Sequence, residues 1–161
     1  MRRTVIILLL FLPSLGTGAA ELRIVQDVDR ILSETDHRGL VVLNLWATWC
    51  APCVAEMEDL RDLDEMFDDD EAVFIGLSLD DAIPGDRELI RKKVAAFLDR
   101  KGIEYLNLYW IGSADPIFRK FDLDGEIPVT VVFDESGREV YRRQGVIDPE
   151  ELRKRIEDES N

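Results

Sequence analysis

The feature that most constrains this chain is the point where an apolar run gives way to a pair of cysteines. Residues 40–46 are hydrophobic apart from one asparagine, which is typical of a strand covered on both faces of a sheet. Cys50 and Cys53 follow at once, and they are the only two cysteines in the 161-residue chain. Beyond them, Met57 and Leu60 begin the apolar spacing of a helix. The sequence therefore predicts a cysteine pair where a buried strand passes into a helix.

A thiol pair at this spacing can close into a small disulfide ring and reopen with little backbone movement. At a helix N-terminus the first thiol also meets the positive end of the helix dipole, which favours the thiolate. The thiolate is the form that attacks disulfides, so this arrangement favours thiol–disulfide exchange. An inert structural disulfide is the alternative, but so small a ring stabilises the fold little, because loop-closure stabilisation grows with loop length.

Two other uses of a cysteine pair fit the sequence poorly. A structural zinc site needs about four ligands, and His37, which we expect in a surface loop, is the only histidine. Covalent haem attachment requires a histidine directly after the second cysteine, where this chain has Val54. We therefore expect neither a metal nor a cofactor.

The first twenty residues have the pattern of an export signal. Arg2 and Arg3 form a basic start, residues 5–12 are apolar, and residues 18–20 are small. The apolar stretch is shorter than the roughly 20 residues that span a bilayer. We expect cleavage after residue 20, leaving a domain over residues 21–161 in the periplasm or an equivalent exported compartment, without stable membrane insertion. An uncleaved anchor is the alternative.

The charge balance excludes some partners. The chain has 20 basic and 34 acidic residues, and removal of Arg2 and Arg3 leaves 18 basic residues and a net charge of −16. Such a surface repels nucleic acid and anionic lipid. We expect no nucleic-acid partner.

The remaining pattern predicts one α/β domain with a central mixed sheet flanked by helices. A polar break is expected at 36–39, a solvated acidic loop at 68–71, and a hairpin turn at 134–137. The strands are expected at 22–26, 40–46, 72–79, 105–110, 129–133 and 138–142, and the helices at 27–34, 50–67, 86–101, 113–121 and from 148 onwards.

The order of these motifs resembles the thioredoxin superfamily, and within it the exported TlpA/ResA-type thiol–disulfide oxidoreductases. The resemblance rests on the run from Asn44 to Cys53, on Glu56 three residues later, and on Ile127-Pro128 just before a strand. It covers about residues 38–157 and implies a thioredoxin-like fold and disulfide exchange with partner proteins.

The resemblance also assigns roles to residues. Cys50 would attack the substrate disulfide, and Cys53 would resolve the resulting mixed disulfide. Trp49 and Pro52 would contact the substrate, and Pro128 would be a cis-proline facing the cysteines. The backbone of Ile127 would then pair with an extended substrate segment. The alternative for Pro128 is an ordinary trans-proline at the start of a strand.

Two features depart from the expected pattern, namely Asn44 and the segment 109–112. Asn44 stands where thioredoxins proper carry a buried aspartate, so that proton acceptor is absent. Glu56 matches the acid of TlpA/ResA-type proteins, and it could accept the Cys53 proton if burial raises its pKa towards neutrality. A solvent-facing helix residue is the alternative. The segment 109–112 is apolar where a shorter polar connection is expected, and it either extends a strand or shapes a partner groove.

The resulting prediction is an exported reductant of protein disulfides, with a role like cytochrome c maturation by analogy and a membrane thiol protein as electron donor. A disulfide-inserting oxidant is one alternative. A second is a binding or chaperone module without redox turnover, and a third is a peroxide-reducing enzyme on the same fold.

Overall fold

The structure is a computed structural model that describes residues 22–34 and 39–160. The predicted export signal at residues 1–20, most of the polar break at 36–39, and His37 lie outside the described residues. Within the described part of the chain, no helix combines the length and the apolar character needed to cross a membrane.

In the part of the chain that the structure describes, six strands form one mixed sheet, as the sequence predicts. In the order of the sheet, β1, β4, β3 and β2 are parallel to one another, whereas β5 is antiparallel to β2 and β6 is antiparallel to β5. The strands are β1 (Leu22–Val25), β2 (Leu40–Trp46), β3 (Ala72–Ser78), β4 (Leu106–Trp110), β5 (Val129–Phe133) and β6 (Glu139–Gln144).

The described residues also form four α-helices and two short 3-10 helices, which lie between the strands except for the last α-helix, which follows them. Asp86 begins α2 by accepting from the Leu89 N–H, and Asp148 begins α4 by accepting from the N–H groups of Glu150 and Glu151. The α-helices are α1 (Ala51–Asp64), α2 (Arg87–Lys101), α3 (Asp115–Lys120) and α4 (Pro149–Glu159), and the 3-10 helices are Val28–Ser33 and Asp80–Ala82.

Most predicted bounds differ from the structure by one to three residues, and two of the differences have a clear local cause. The helix expected at 27–34 is a 3-10 helix over Val28–Ser33, a form that proteins use in short connecting pieces. The last strand is expected to begin at Arg138, but the Arg138 N–H donates to Asp134 Oδ1 at 3.0 Å and so belongs to the hairpin turn. The strand consequently begins at Glu139.

The sheet is buried on both faces at β2, which confirms the interpretation of its apolar run. One face packs under α1, α2 and α4, and the other packs under the first 3-10 helix and α3. Consecutive residues of β2 alternate between these two cores, with Val42 and Trp46 on the first side and Leu43 and Leu45 on the second.

The carboxyl ends of β2, β3 and β4 and the start of β5 lie together at one edge of the sheet. Trp46 at the end of β2 lies beside Ser78 at the end of β3, and Ser78 lies beside Tyr109 near the end of β4. Because β5 runs the opposite way, its first residue, Val129, also lies at this edge, opposite Leu45. The residues that follow β2 and precede β5 are thereby brought together.

Candidate active site at the Cys50–Cys53 pair

The two cysteines lie where β2 passes into α1. Cys50 is the N-cap of α1, with an extended backbone, and the helix begins at Ala51. Pro52 sits in the first turn, where the N–H groups have no partner within the helix, so its missing N–H removes no bond. The sulfur atoms of Cys50 and Cys53 are joined in a disulfide.

Exposure differs sharply along the cysteine segment. The Cys53 side chain is fully buried, Cys50 is 6% exposed, and Trp49 directly before it is 49% exposed. Pro52 is also exposed. A partner molecule approaching this edge therefore meets Trp49 and Pro52 first, and of the two sulfurs it reaches that of Cys50.

The helix start directs an N–H donor at Cys50. The backbone N–H of Cys53 donates to Cys50 Sγ at 3.2 Å, and the Cys50 carbonyl accepts from the Val54 N–H at 3.0 Å. After reduction, a negative charge on Cys50 would lie at this donor and at the positive end of α1, and both favour the thiolate over the thiol.

The loop before β5 closes the site from the other side. The peptide bond between Ile127 and Pro128 is cis, as the sequence analysis expects. The Ile127 carbonyl oxygen lies 3.6 Å from Cys50 Sγ, and the Pro128 carbonyl accepts from the Gly145 N–H at 2.9 Å. Pro128 is buried and Ile127 is half-buried, so Ile127 is the residue of this pair that a partner can touch.

Glu56 is fully buried on α1, one helical turn after Cys53. Its Oε1 accepts from Asn44 Nδ2 at 2.8 Å, and its Oε2 accepts from the Ile147 N–H at 2.9 Å. The solvent-facing alternative for Glu56 is therefore wrong. Asn44 also donates to Thr130 Oγ1 at 3.0 Å, so β2, α1, β5 and the segment before α4 meet at this carboxyl group.

Burial raises the pKa of Glu56 from its ordinary value of 4.5 to about 7. The dominant cause is the loss of hydration, which penalises the charged form. The hydrogen bonds from Ile147 and Asn44 act in the opposite direction, and the nearby charge of Asp59 adds slightly to the rise. A carboxyl group that titrates near neutral pH can both accept and return a proton under ordinary conditions.

Asp80, which was not among the residues predicted from the sequence, anchors the turn that carries the first cysteine. Asp80 is buried at the end of β3 and accepts from the Thr48 N–H at 3.1 and 3.2 Å, from the Thr48 hydroxyl, and from the Ser78 hydroxyl at 2.8 Å. These bonds fix the turn that presents Trp49 and Cys50. An acid directly after a buried strand, at the predicted site edge, was the available signal.

The adjacent Asp81 holds the end of β4. Its carboxylate accepts from the Gly112 N–H at 2.8 Å and from Arg87 Nε at 2.8 Å. Tyr109 and Trp110 are buried, so the apolar segment at 109–112 extends a strand, which is the first of its two sequence interpretations. In the described residues, no three His, Cys, Asp or Glu side chains come together in a way that would hold a metal ion.

The sheet order, the helices around it and the cysteine pair at the start of α1 define a thioredoxin-like protein. The same fold is found in StoA from Bacillus subtilis, with a TM-score of 0.60 and 16% identity over 74% of this chain and 84% of that one. A secreted thiol-disulfide isomerase from Corynebacterium glutamicum gives a TM-score of 0.65 at 20% identity, over 77% of this chain and 72% of that one. At these identities the likeness establishes the fold.

The sequence profile of the AhpC/TSA family matches residues 16–156, and the chain belongs to this family. Among curated relatives, the thiol-disulfide oxidoreductase ResA from Geobacillus thermodenitrificans is 26% identical over 124 residues. That match covers 76% of this chain and 65% of ResA, so the chain spans less than two thirds of that relative's length. ResA from Oceanobacillus iheyensis is 43% identical over 49 residues, which cover 30% of this chain and 25% of that protein.

Proposed function

We propose that this protein is an exported thiol–disulfide oxidoreductase that exchanges disulfides with partner proteins through Cys50 and Cys53. The observation that carries the proposal is the disulfide at the N-terminus of α1, with a Cys53 N–H aimed at Cys50 and a buried acid one turn later. The name shared by the curated relatives, thiol-disulfide oxidoreductase, supports the same activity.

The reaction begins with the dithiol form. The Cys50 thiolate attacks one sulfur of the partner disulfide, a Cys50–partner bond forms, and the other partner sulfur leaves as a thiolate that takes up a proton. Cys53 then loses its proton and attacks Cys50 Sγ. The Cys50–Cys53 disulfide forms, and the second partner sulfur is released and protonated. Two electrons and two protons have passed from the dithiol to the partner.

Glu56 is the group that we assign to the second step as general base. A pKa near 7 lies close enough to that of a thiol, about 8.5, for the carboxylate to take the Cys53 proton and later to release it. Glu56 and Cys53 are both fully buried, which keeps bulk water from replacing the carboxyl group in this role. Glu56 therefore acts on the resolving cysteine, while the helix N-terminus activates the attacking one.

Substrate contact is assigned to the rim around Cys50. Trp49 and Pro52 offer exposed apolar surface, and the Ile127 carbonyl lies beside the attacking sulfur. An extended polypeptide could pair with the backbone of Ile127 and place its disulfide against Cys50. The buried Pro128 contributes by shaping this loop. Backbone pairing of this kind gives affinity without demanding one substrate sequence.

We propose that the protein acts as a reductant and receives its electrons from a membrane thiol protein. By analogy with the TlpA/ResA-type proteins that it resembles, we propose a role like cytochrome c maturation. A buried acid one helical turn from Cys53 disfavours a negative charge on that sulfur, which limits the stabilisation of the reduced pair and favours a reductant. The export pattern of residues 1–20 supports action outside the cytoplasm. The relative from Corynebacterium glutamicum described as secreted supports it as well.

The test is covalent trapping. Cys53→Ser protein should attack partner disulfides through Cys50 and stop at the mixed disulfide, so pull-downs recover adducts that a reducing agent releases. Cys50→Ser protein is the matched control and should recover none. If the Cys53→Ser variant also yields no reducible adducts, disulfide exchange is refuted. If a variant lacking both thiols keeps its partners and its cellular role, the binding module replaces the enzyme.

A further inference from the structure

The side-chain amide of Asn44 is hydrogen-bonded through its nitrogen but not through its oxygen. Its Nδ2 donates to Glu56 Oε1 at 2.8 Å and to Thr130 Oγ1 at 3.0 Å. Its Oδ1 is buried and has no hydrogen-bond partner among the described residues. Buried polar atoms are nearly always paired, so an orphan atom next to a titrating carboxyl group calls for an explanation.

A second buried asparagine provides the contrast. Asn107 on β4 accepts from Trp46 Nε1 at 3.1 Å through Oδ1 and donates to the Tyr105 carbonyl at 3.1 Å through Nδ2. Turning this amide over would set donor against donor at Trp46 and acceptor against acceptor at Tyr105. Asn107 is therefore locked in one orientation.

Asn44 has no such lock. Its unpaired end would break no bond on rotation, and the Thr130 hydroxyl can donate as readily as it accepts. An inverted Asn44 would present Oδ1 to both Glu56 and Thr130. Each orientation leaves one end of the amide unpaired, so neither orientation is favoured on that account.

The contacts of Glu56 decide which oxygen carries its proton. Oε2 already accepts from the Ile147 N–H, and a carbonyl-type oxygen is the better acceptor for that bond. A proton on the carboxyl group therefore belongs on Oε1, the oxygen that faces Asn44 Nδ2. Two donors would then face each other, and inversion of the amide converts this repulsion into a hydrogen bond from Oε1–H to Oδ1.

We propose that Asn44 is a positioning residue that follows the proton on Glu56, donating through Nδ2 to the carboxylate and, after inversion of its amide, accepting through Oδ1 from the carboxylic acid. This inference rests on the proposed function for the source of the proton. The proton leaves Cys53 Sγ and settles on Glu56 Oε1, and no covalent bond of Asn44 changes. Glu56 thus keeps a partner in both states.

The surroundings of Glu56 make Asn44 and Thr130 the groups that respond to this proton. Asp59 on α1 lies near enough for its charge to act on Glu56, and Tyr105 before β4 is itself influenced by the Glu56 charge. β2 and β5 contribute neutral Asn44 and Thr130, and the segment before α4 contributes the fixed Ile147 N–H donor.

The experiment is a pH titration of the full oxidised chain by NMR, from about pH 5 to about pH 9, a range that brackets the pKa of Glu56 near 7. The side-chain NH2 signals of Asn44 should shift with the same midpoint as the Glu56 carboxyl carbon. Their nuclear Overhauser contacts to the Thr130 methyl and the Glu56 methylene protons should be present at high pH and lost at low pH. The Asn107 amide, as internal control, should keep its contacts throughout.

An Asn44 amide that keeps the same contacts while Glu56 titrates would overturn the proposal, as would a Glu56 carboxyl group that does not titrate in this range. In Glu56→Gln protein the Asn44 contacts should not depend on pH. Asn44→Ala gives a second measurement, with Asn107→Ala as the matched control. If Asn44 supports both states, its loss changes the Glu56 ionisation constant by less than about threefold, whereas a permanent donor to the carboxylate would change it tenfold or more.

None of these readouts requires turnover. A failure of disulfide exchange in the Cys53→Ser trapping assay would therefore be separate from a failure of Asn44 to follow the proton.

Discussion

Replacing Glu56 with glutamine should change how the stability of this protein depends on pH. The folded protein holds a proton on Glu56 up to a pH of about 7, whereas the unfolded chain releases it near the ordinary value of 4.5. Between these values the folded state binds more protons than the unfolded state. Stability from this group is therefore fully present below about pH 4.5 and is lost as the pH rises through about 7.

The magnitude follows from the two pKa values. The gap between 4.5 and about 7 is worth about 3 kcal/mol, because each tenfold difference in an ionisation constant is worth about 1.4 kcal/mol. The glutamine side chain of the variant has no such proton to lose. It keeps an oxygen that can accept from the Ile147 N–H, and its amide can pair with Asn44. The free energy of unfolding of the variant, relative to that of the parent, should therefore rise by about 3 kcal/mol between pH 4.5 and pH 8.

The assay is urea unfolding of the oxidised parent and variant at a series of pH values across that range. Only the difference between the two proteins isolates Glu56, because burial and neighbouring acids also raise the pKa of Asp64, to about 6, and this adds a slope of the same sign. Glu58→Gln is the matched control. It removes an exposed acid from the same helix whose pKa is lowered by Lys101, so any change in the pH slope should have the opposite sign to that of Glu56→Gln and lie at the acid end of the range.

The reasoning is refuted if the free energies of unfolding of the Glu56→Gln variant and the parent differ by the same amount at every pH. Such a result would mean that Glu56 ionises alike in the folded and unfolded chains. The same variant should slow disulfide exchange near neutral pH while leaving the fold intact. An unchanged pH–rate profile would remove Glu56 from the mechanism even if the stability result held.

Three further substitutions test the frame around the site. Gly76→Ala should destabilise the fold by about 1–3 kcal/mol in urea unfolding, because its methyl group would overlap the Asn107 side chain in the next strand, and a stability within error of the parent would contradict this packing. Asp80→Asn should lower the stability by about 1–3 kcal/mol, because the hydrogen bonds that anchor Thr48 are weakened. It should also slow disulfide exchange without moving the midpoint of the pH–rate profile. An unchanged stability would show that the turn holds without Asp80. Trp49→Ala should leave stability within about 0.5 kcal/mol and raise KM for a protein disulfide but not for a small one, and equal effects on both would remove Trp49 from substrate contact.

Local signals in the sequence were sufficient to predict the positions of most strands and helices. The unbroken apolar run at residues 40–46 predicts a strand covered on both faces, and β2 is buried on both. The helices expected from residues 86 and 148 begin there, and in each case the aspartate at that position is the N-cap. The cysteine pair, Glu56 and the residue before Pro128 were all identified, because each is part of a short motif at a predictable strand or helix end.

The contacts around Glu56 could not be derived in this way. Asn44 and Thr130 are 86 positions apart, and Glu56 and Ile147 are 91 positions apart. Their meeting depends on β5 lying directly beside β2, and the sequence pattern does not specify the order of strands within a sheet. The anchor from Asp80 to Thr48 is missed for the same reason, because it requires β3 to neighbour β2.

The most direct test of the central claim is the reduction potential of the Cys50–Cys53 pair. The oxidised chain would be equilibrated in dithiothreitol redox buffers, with the half-exposed Trp49 next to the pair as a fluorescence reporter. We expect a reversible two-electron transition with a midpoint near the reduction potential of thioredoxin, about −270 mV, as a reductant requires. A midpoint near −120 mV would contradict the proposed direction and make the protein an oxidant. The absence of any reversible transition would contradict disulfide exchange itself.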